Sequence, residues 1–172
     1  MSPMKFDSFV NFDRRERKAN FDWNGPAEFY LIVVDRWVKF GITSNWEKRQ
    51  FFYRKQFGDI PWRLVKKVEH PTRWQAEFLE QMVVWILKPW VTHGTNEWVE
   101  KLTVQEVWNC VKGTEKRIEE RGWRHYESVH RHGDNRWAHY KDIAMYEFEG
   151  QSESSIQLRD DSEAEGSDSL TV

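Results

Sequence analysis

Cysteine is almost missing from this chain of 172 residues: Cys110 is the only one. A single thiol excludes an intramolecular disulfide framework and a cysteine-cluster zinc site, and it points to a reducing, intracellular compartment. Long apolar runs are missing as well. The longest, such as MVVWIL at 82–87, fall far short of the roughly 20 residues a membrane-spanning helix needs. The opening stretch MSPMKFDSFVNFDRRERK carries no signal-type apolar segment. No membrane partner is expected, and a cytoplasmic location is, with nucleoid association if the chain binds DNA. No internal repeat is visible.

A strong net charge is also lacking, at −2 overall, but the charge is unevenly spread. From Glu149 onward seven acids face one base, Arg159, whereas residues 1–148 hold 25 basic against 21 acidic residues, a net of +4. A mildly basic body with an acidic tail suits a polyanionic partner and also an ordinary soluble protein. What the chain does have in plenty is aromatics, with 11 Trp and 11 Phe, many interleaved with Arg and Lys. Such a mixture stacks bases, or simply fills a core.

The length suits one core with appendages. EFYLIVV at 28–34 and WVKFGIT at 37–43 read as two strands joined tightly at Asp35-Arg36. Ser44 or Asn45 then caps a helix from about Trp46 to Phe57, stopped by Gly58. WRLVKKVEH, 62–70, reads as a third strand. Thr72 with Gln75 opens a helix from about Arg73 to Leu87, whose Ala76, Leu79, Val83, Ile86 and Leu87 mark a core face. NEWVE, 96–100, allows a further short strand; Thr103 with Glu106 opens another helix, and a separate one over EKRIEER follows a break at Gly113-Thr114. The expected fold is a small α/β (α+β) domain: a three-stranded antiparallel sheet flanked by helices, with a helical C-terminal extension and a disordered acidic tail. The divisions are an N-terminal arm at 1–24, the main domain at 25–100, the extension at 101–148 and the tail at 149–172.

Two local patterns suggest chemistry. Arg49 and Tyr53 stand four residues apart on the helix after the hairpin, so both project from one face, with Trp46 a turn earlier. A guanidinium there holds a phosphate and stabilises charge developing on it, or is a solvated arginine. On the following helix Glu77 lies four residues after Arg73 and forms an exposed pair with it. Glu80, between Ala76 and Val84 and beside Leu79 and Val83, sits at the edge of the apolar face. A carboxylate at that edge reaches to solvent or takes a partner, either a divalent cation or an arginine.

In order along the chain, a strand ending in Tyr (EFY, Tyr30), a strand ending in Gly (KFG, Gly41), a helix with Arg49 and Tyr53, and a later helix with AEFLE ending in Glu80 resemble the GIY-YIG nuclease superfamily. Pro89, nine residues after Glu80, is similarly placed. The resemblance spans roughly Glu28–Val99 and implies a DNA endonuclease working with one Mg or Mn ion. It implies that Glu80 holds the metal, Arg49 the scissile phosphate, and that Tyr30, Lys39 or Tyr53 orient or activate water. Gly41 would let the backbone pass close to the site. Lys39 replaces the second-motif tyrosine, a change that resembles the phage-associated branch, as does the Glu-Trp of TNEWVE. Glu97 in that stretch is expected to be structural. Thr92 stands where repair-type relatives carry a substrate-positioning Asn, and His93 beside it either substitutes for that Asn or is a plain loop histidine.

The extension RGWRHYESVHRHGDNRWAHYK, 121–141, interleaves Arg, His and aromatics and is expected to pack its Trp residues on the core or lengthen a DNA footprint. Its four histidines match no zinc pattern. Two other readings compete with the nuclease: a catalytically silent nucleic-acid-binding module of the same shape, and a protein-interaction module using the aromatic face.

Overall fold

A computed structural model describes residues 22–92, 95 and 97–148, with backbone alone at 130–135. The element order is β1 (Ala27–Val34), β2 (Trp37–Thr43), α1 (Trp46–Phe57), β3 (Trp62–His70), α2 (Arg73–Ile86), a 3-10 turn (Lys88–Trp90), β4 (Trp98–Val99), α3 (Val104–Arg121), a 3-10 segment (Trp123–Asn135) and α4 (Arg136–Glu147). Residues 1–21 of the N-terminal arm and the acidic tail lie outside the described residues.

The sheet is antiparallel and runs β3-β1-β2-β4, so it has four strands rather than three. The added member is only Trp98–Val99, paired with Lys39 and Val38. It falls within NEWVE, where the sequence allows a further short strand not counted in the expected sheet. β1 and β2 join through a two-residue turn in which Asp35 takes a positive φ of 54°, a conformation a short polar side chain tolerates. The Asp35 N–H donates to the Pro61 carbonyl at 2.9 Å, which ties the turn to the start of β3.

Alternation along β1 and β2 divides the interior in two. Phe29, Leu31, Val38, Phe40 and Ile42 point to one face and join Ala76, Leu79 and Val83 of α2, Val107 and Ile118 of α3, and Tyr140 of α4. Tyr30, Ile32, Val34 and Trp37 point to the other, where Trp46, Tyr53 and Phe57 of α1 cover them together with Trp98. β1 is central and buried on both faces, which accounts for its nearly unbroken apolar run. β3 is an edge, and Arg63, Lys66, Lys67 and Glu69 along it are exposed, as charged edge strands resist pairing with other chains.

Helix ends follow the punctuation. The Asn45 side chain accepts from the Lys48 N–H at 3.1 Å, and Gly58 closes α1 at φ 56°. At α3 the capping box is complete: the Glu106 N–H donates to Thr103 Oγ1 and the Thr103 N–H to Glu106 Oε1. The expected break at Gly113-Thr114 does not occur, and α3 runs unbroken to Arg121. Thr114 turns its hydroxyl back to the Cys110 carbonyl at 2.7 Å, and Cys110, Thr114 and Ile118 are buried four residues apart, so one packed stripe overrides the weak propensities of the pair. Burial pushes the Cys110 thiol up to about 12, which leaves it unreactive.

His70 closes β3 inside this packing, its Nε2 3.7 Å from Glu115 Oε2. Burial lowers its pKa from the ordinary 6.5, with Glu115 pulling the other way. The unfolded chain therefore takes up a proton where the folded one resists it. The stability linked to His70 is whole above about pH 6.5 and declines as the pH falls below it. Replacing it, His70→Gln, should shrink the drop in melting temperature between about pH 7.5 and 5.5; an unchanged drop would assign the acid sensitivity to the carboxylates instead.

Candidate active site

Register places Tyr30 of β1 directly opposite Gly41 of β2, and the phenol lies across the glycine. A Cβ at position 41 would stand 2.5 Å from Tyr30 Oη and 2.8 Å from Cζ, so close approach, rather than an unusual φ, demands glycine here. From the other side Tyr53 of α1 meets the same phenol: the two hydroxyls are 2.5 Å apart, and either can donate. Trp46 closes the third side with its ring centroid 5.1 Å from that of Tyr30. Gly41→Ala is expected to cost about 1–3 kcal/mol in denaturant unfolding, the usual range for overpacking. Tyr30→Phe in that background should recover only part of the loss, because Cζ still clashes; full recovery would mean that the hydroxyl alone is crowded.

Arg49 projects from α1 one turn before Tyr53, its guanidinium carbon 5.9 Å from the Tyr53 ring centroid, and it is half-buried. The helical spacing thus sets a cation over a buried phenol pair. Lys39 lies on the same face of the sheet and is 1 % exposed. Its ammonium donates to Glu97 Oε2 at 2.8 Å and stands 5.4 Å from the centre of the Trp98 ring. Glu97 is itself anchored, its carbonyl accepting from the Phe40 N–H at 3.2 Å. Glu97 is thus a counter-ion of Lys39.

Across the sheet, α2 carries Glu77 and Glu80 one turn apart, 6 % and 7 % exposed. Glu77 does not form the exposed pair expected of it. Its Oε2 accepts from Tyr140 Oη at 2.6 Å and from Arg136 Nε at 3.2 Å, both from α4. Arg73, the supposed exposed partner, is 5 % exposed, and its Nη1 donates to Ser44 Oγ at 2.8 Å on the β2–α1 connection. Burial lowers the Arg73 pKa, opposed by Glu80 and then Glu77; Arg49 and Tyr30 lie within the same electrostatic reach. Arg73 is therefore the residue that sequence reasoning missed. It is the arginine that a boundary glutamate calls for, seven positions before Glu80 and so on the same helix face.

No protein-family model, curated protein or solved structure matches this chain. The site has to be read from its own chemistry. Tyr30, Gly41 and Tyr53 are in direct contact, Arg49 overlies Tyr53, and Arg73 links the surroundings of Glu80 to those of Arg49 and Tyr30. Lys39 is turned to Glu97. Thr92 is half-buried, with its backbone engaged, the N–H donating to the Trp98 carbonyl at 2.8 Å and the carbonyl accepting from Thr95 Oγ1 at 2.8 Å. His93 lies outside the described residues.

Among the described residues no three His, Cys, Asp or Glu side chains gather as a metal cage. Glu80 nonetheless offers one hard carboxylate, and a cation such as magnesium keeps most of its waters and takes only one or two carboxylates. Glu77 is not the second of these, since its Oε2 is already held by two donors from α4. Glu80 Oε1 accepts from Gln81 Nε2 at 3.3 Å, and its carboxylate is the hard oxygen donor these residues would offer such a cation.

Proposed function

We propose that this chain is a divalent-metal-dependent endonuclease that hydrolyses DNA phosphodiester bonds by a GIY-YIG-like one-metal mechanism. The observation that carries the reading is the meeting of Tyr30, Gly41 and Tyr53, from three separate elements, beneath the guanidinium of Arg49. Pairing satisfies both buried hydroxyls, and Arg49 above them supplies the charge that a phosphate would meet.

Glu80 would hold Mg or Mn, which supplies Lewis-acid stabilisation of the leaving oxygen. Arg49 binds the scissile phosphate, where its planar fork matches two oxygens. The hydroxyls of Tyr30 and Tyr53 share one hydrogen bond, so each holds the other's orientation and either can pass a proton toward or away from the reacting face. Lys39, already hydrogen-bonded as a donor to Glu97, serves as a buried positive charge rather than as a base. Exposed Lys48, Arg54 and Lys55 on α1 extend the cationic surface for the DNA backbone, as does Lys67, whose ammonium lies 5.8 Å from the Trp46 ring centre.

One observation favours a second reading. The motif position that carries a candidate base is filled by a lysine closed into an ion pair, which suits a scaffold that binds nucleic acid without cutting it. Nicking of a supercoiled plasmid at low salt, with Mg or Mn, separates the two. The nuclease reading expects cutting by the wild type that a chelator abolishes; salt-sensitive DNA retention with no cutting under either metal selects the binding module, and salt-insensitive behaviour without DNA affinity rejects both.

A further inference from the structure

Glu77 and Glu80 lie side by side on α2, both nearly inaccessible, and buried carboxylates one turn apart repel unless each has its own counter-charge. Glu77 takes two donors from α4. Tyr140 Oη and Arg136 Nε converge on its Oε2 at 2.6 and 3.2 Å. The Tyr140 hydroxyl is held protonated by burial first and by the Glu77 charge second, so it remains a donor. Arg136 is braced by two indoles, its guanidinium carbon 4.8 Å from the Trp23 ring centre and 5.0 Å from that of Trp137.

The consequence reaches Arg73, one turn before Glu77. An arginine four residues ahead of a buried glutamate ordinarily turns to it. Here Glu77 Oε2 already holds two donors from α4, and Arg73 Nη1 reaches Ser44 Oγ at 2.8 Å, with Glu80 first and Glu77 second among the carboxylates in its surroundings. Ser44 immediately precedes Asn45, the cap of the helix that carries Arg49. Arg73 thereby clips the start of α1 to α2, the two helices that carry Arg49 and Glu80.

We propose that Tyr140 and Arg136 are positioning residues of the candidate site: by taking the Glu77 carboxylate they commit Arg73 to Ser44 and Glu80, which sets Arg49 and Glu80 relative to each other. The C-terminal helix is then part of the catalytic apparatus although none of its residues touches substrate. As a statement about catalysis this rests on the nuclease reading; as a statement about Arg73 it does not.

The test uses the full 172-residue chain and three variants, Tyr140→Phe, Glu77→Gln and the double variant. Tyr140→Phe keeps the ring that packs on Phe78 and Trp137 and removes only the donor. Two quantities are read: the 15N resonance of Arg73 Nε, assigned with Arg73→Lys, and kcat and KM for plasmid nicking. With the shorter of its two α4 donors gone, Glu77 should draw Arg73 off Ser44, so Tyr140→Phe shifts the Arg73 resonance and lowers kcat about tenfold at unchanged KM. Adding Glu77→Gln removes the competing charge and should return both readings close to wild type. A merely structural role for α4 cannot produce that rescue.

A lowered melting temperature with the Arg73 resonance and kcat unmoved, or a double variant worse than either single one, would overturn the proposal. If Tyr140→Phe does not fold, Arg136→Gln weakens the same carboxylate contact and is judged by the same two outcomes. If the wild type cuts no DNA, the nuclease reading falls, and the Arg73 resonance still decides whether α4 controls Arg73.

Discussion

Glu80→Ala should slow metal-dependent nicking by a factor on the order of 10² to 10³, the range found when one electrostatic stabiliser of a transition state is removed. The Glu80 carboxylate is the hard oxygen donor assigned to the cation, and the alanine variant removes that ligand. Binding should move the other way. Removing a negative charge from the surroundings of Arg73 raises the local positive potential, so the variant should retain DNA as well as the wild type or better, with a salt dependence at least as steep. Glu80→Gln tests the same point with less disturbance to packing and should be nearly as slow. Equal nicking by wild type and both variants would remove Glu80 from the mechanism, whatever the protein's affinity for DNA.

The parts of the fold that were legible in the sequence are those where local chemistry and tertiary packing agree. Asn45 and Gly58 bound α1, Thr103 with Glu106 caps α3, and the period of Ala76, Leu79 and Val83 marks the buried face of α2. What escaped reading depends on partners distant in sequence. Glu77 has the spacing of an exposed ion pair with Arg73, yet it is buried because α4 returns across α2 some 60 residues later, Arg136 being 59 and Tyr140 63 residues from it. α4 itself has no clean apolar stripe: Trp137, Met145 and Tyr146 are exposed while Tyr140 and Ala144 are buried. β4 was allowed for within NEWVE, but two residues do not show which strand they pair with, so the meeting of Glu97 with Lys39 was not legible. The Gly113-Thr114 pair misled because a breaker signal has meaning only at a surface, and this one lies within a packed helix. At the site, Tyr30, Gly41, Arg49, Tyr53 and Glu80 were nameable from order and spacing, whereas Arg73 required knowing that Glu77 was already occupied.

Lys39 and Glu97 carry the other large expected effect. The ammonium is 1 % exposed and hydrogen-bonded at 2.8 Å to a carboxylate that is itself 14 % exposed, so Glu97→Gln removes the counter-charge while the lysine stays inside. Breaking one side of such a pair costs about 3–5 kcal/mol, because the surviving charge remains desolvated. Lys39→Met should cost less, since Glu97 lies nearer the surface and can turn outward, and methionine replaces much of the aliphatic stem against Trp98. The double variant Lys39→Met with Glu97→Leu should be the most stable of the three, and urea midpoints at constant m-value order them. Nicking by the same proteins then decides what the lysine is for. If Lys39→Met folds and still cuts within about tenfold of wild type, the lysine is a buried charge that fixes the β2–β4 pairing. A folded Lys39→Met that has lost cutting altogether, with DNA retention intact, would instead restore Lys39 to the proton-transfer step and leave Glu97 as the group that holds it in place.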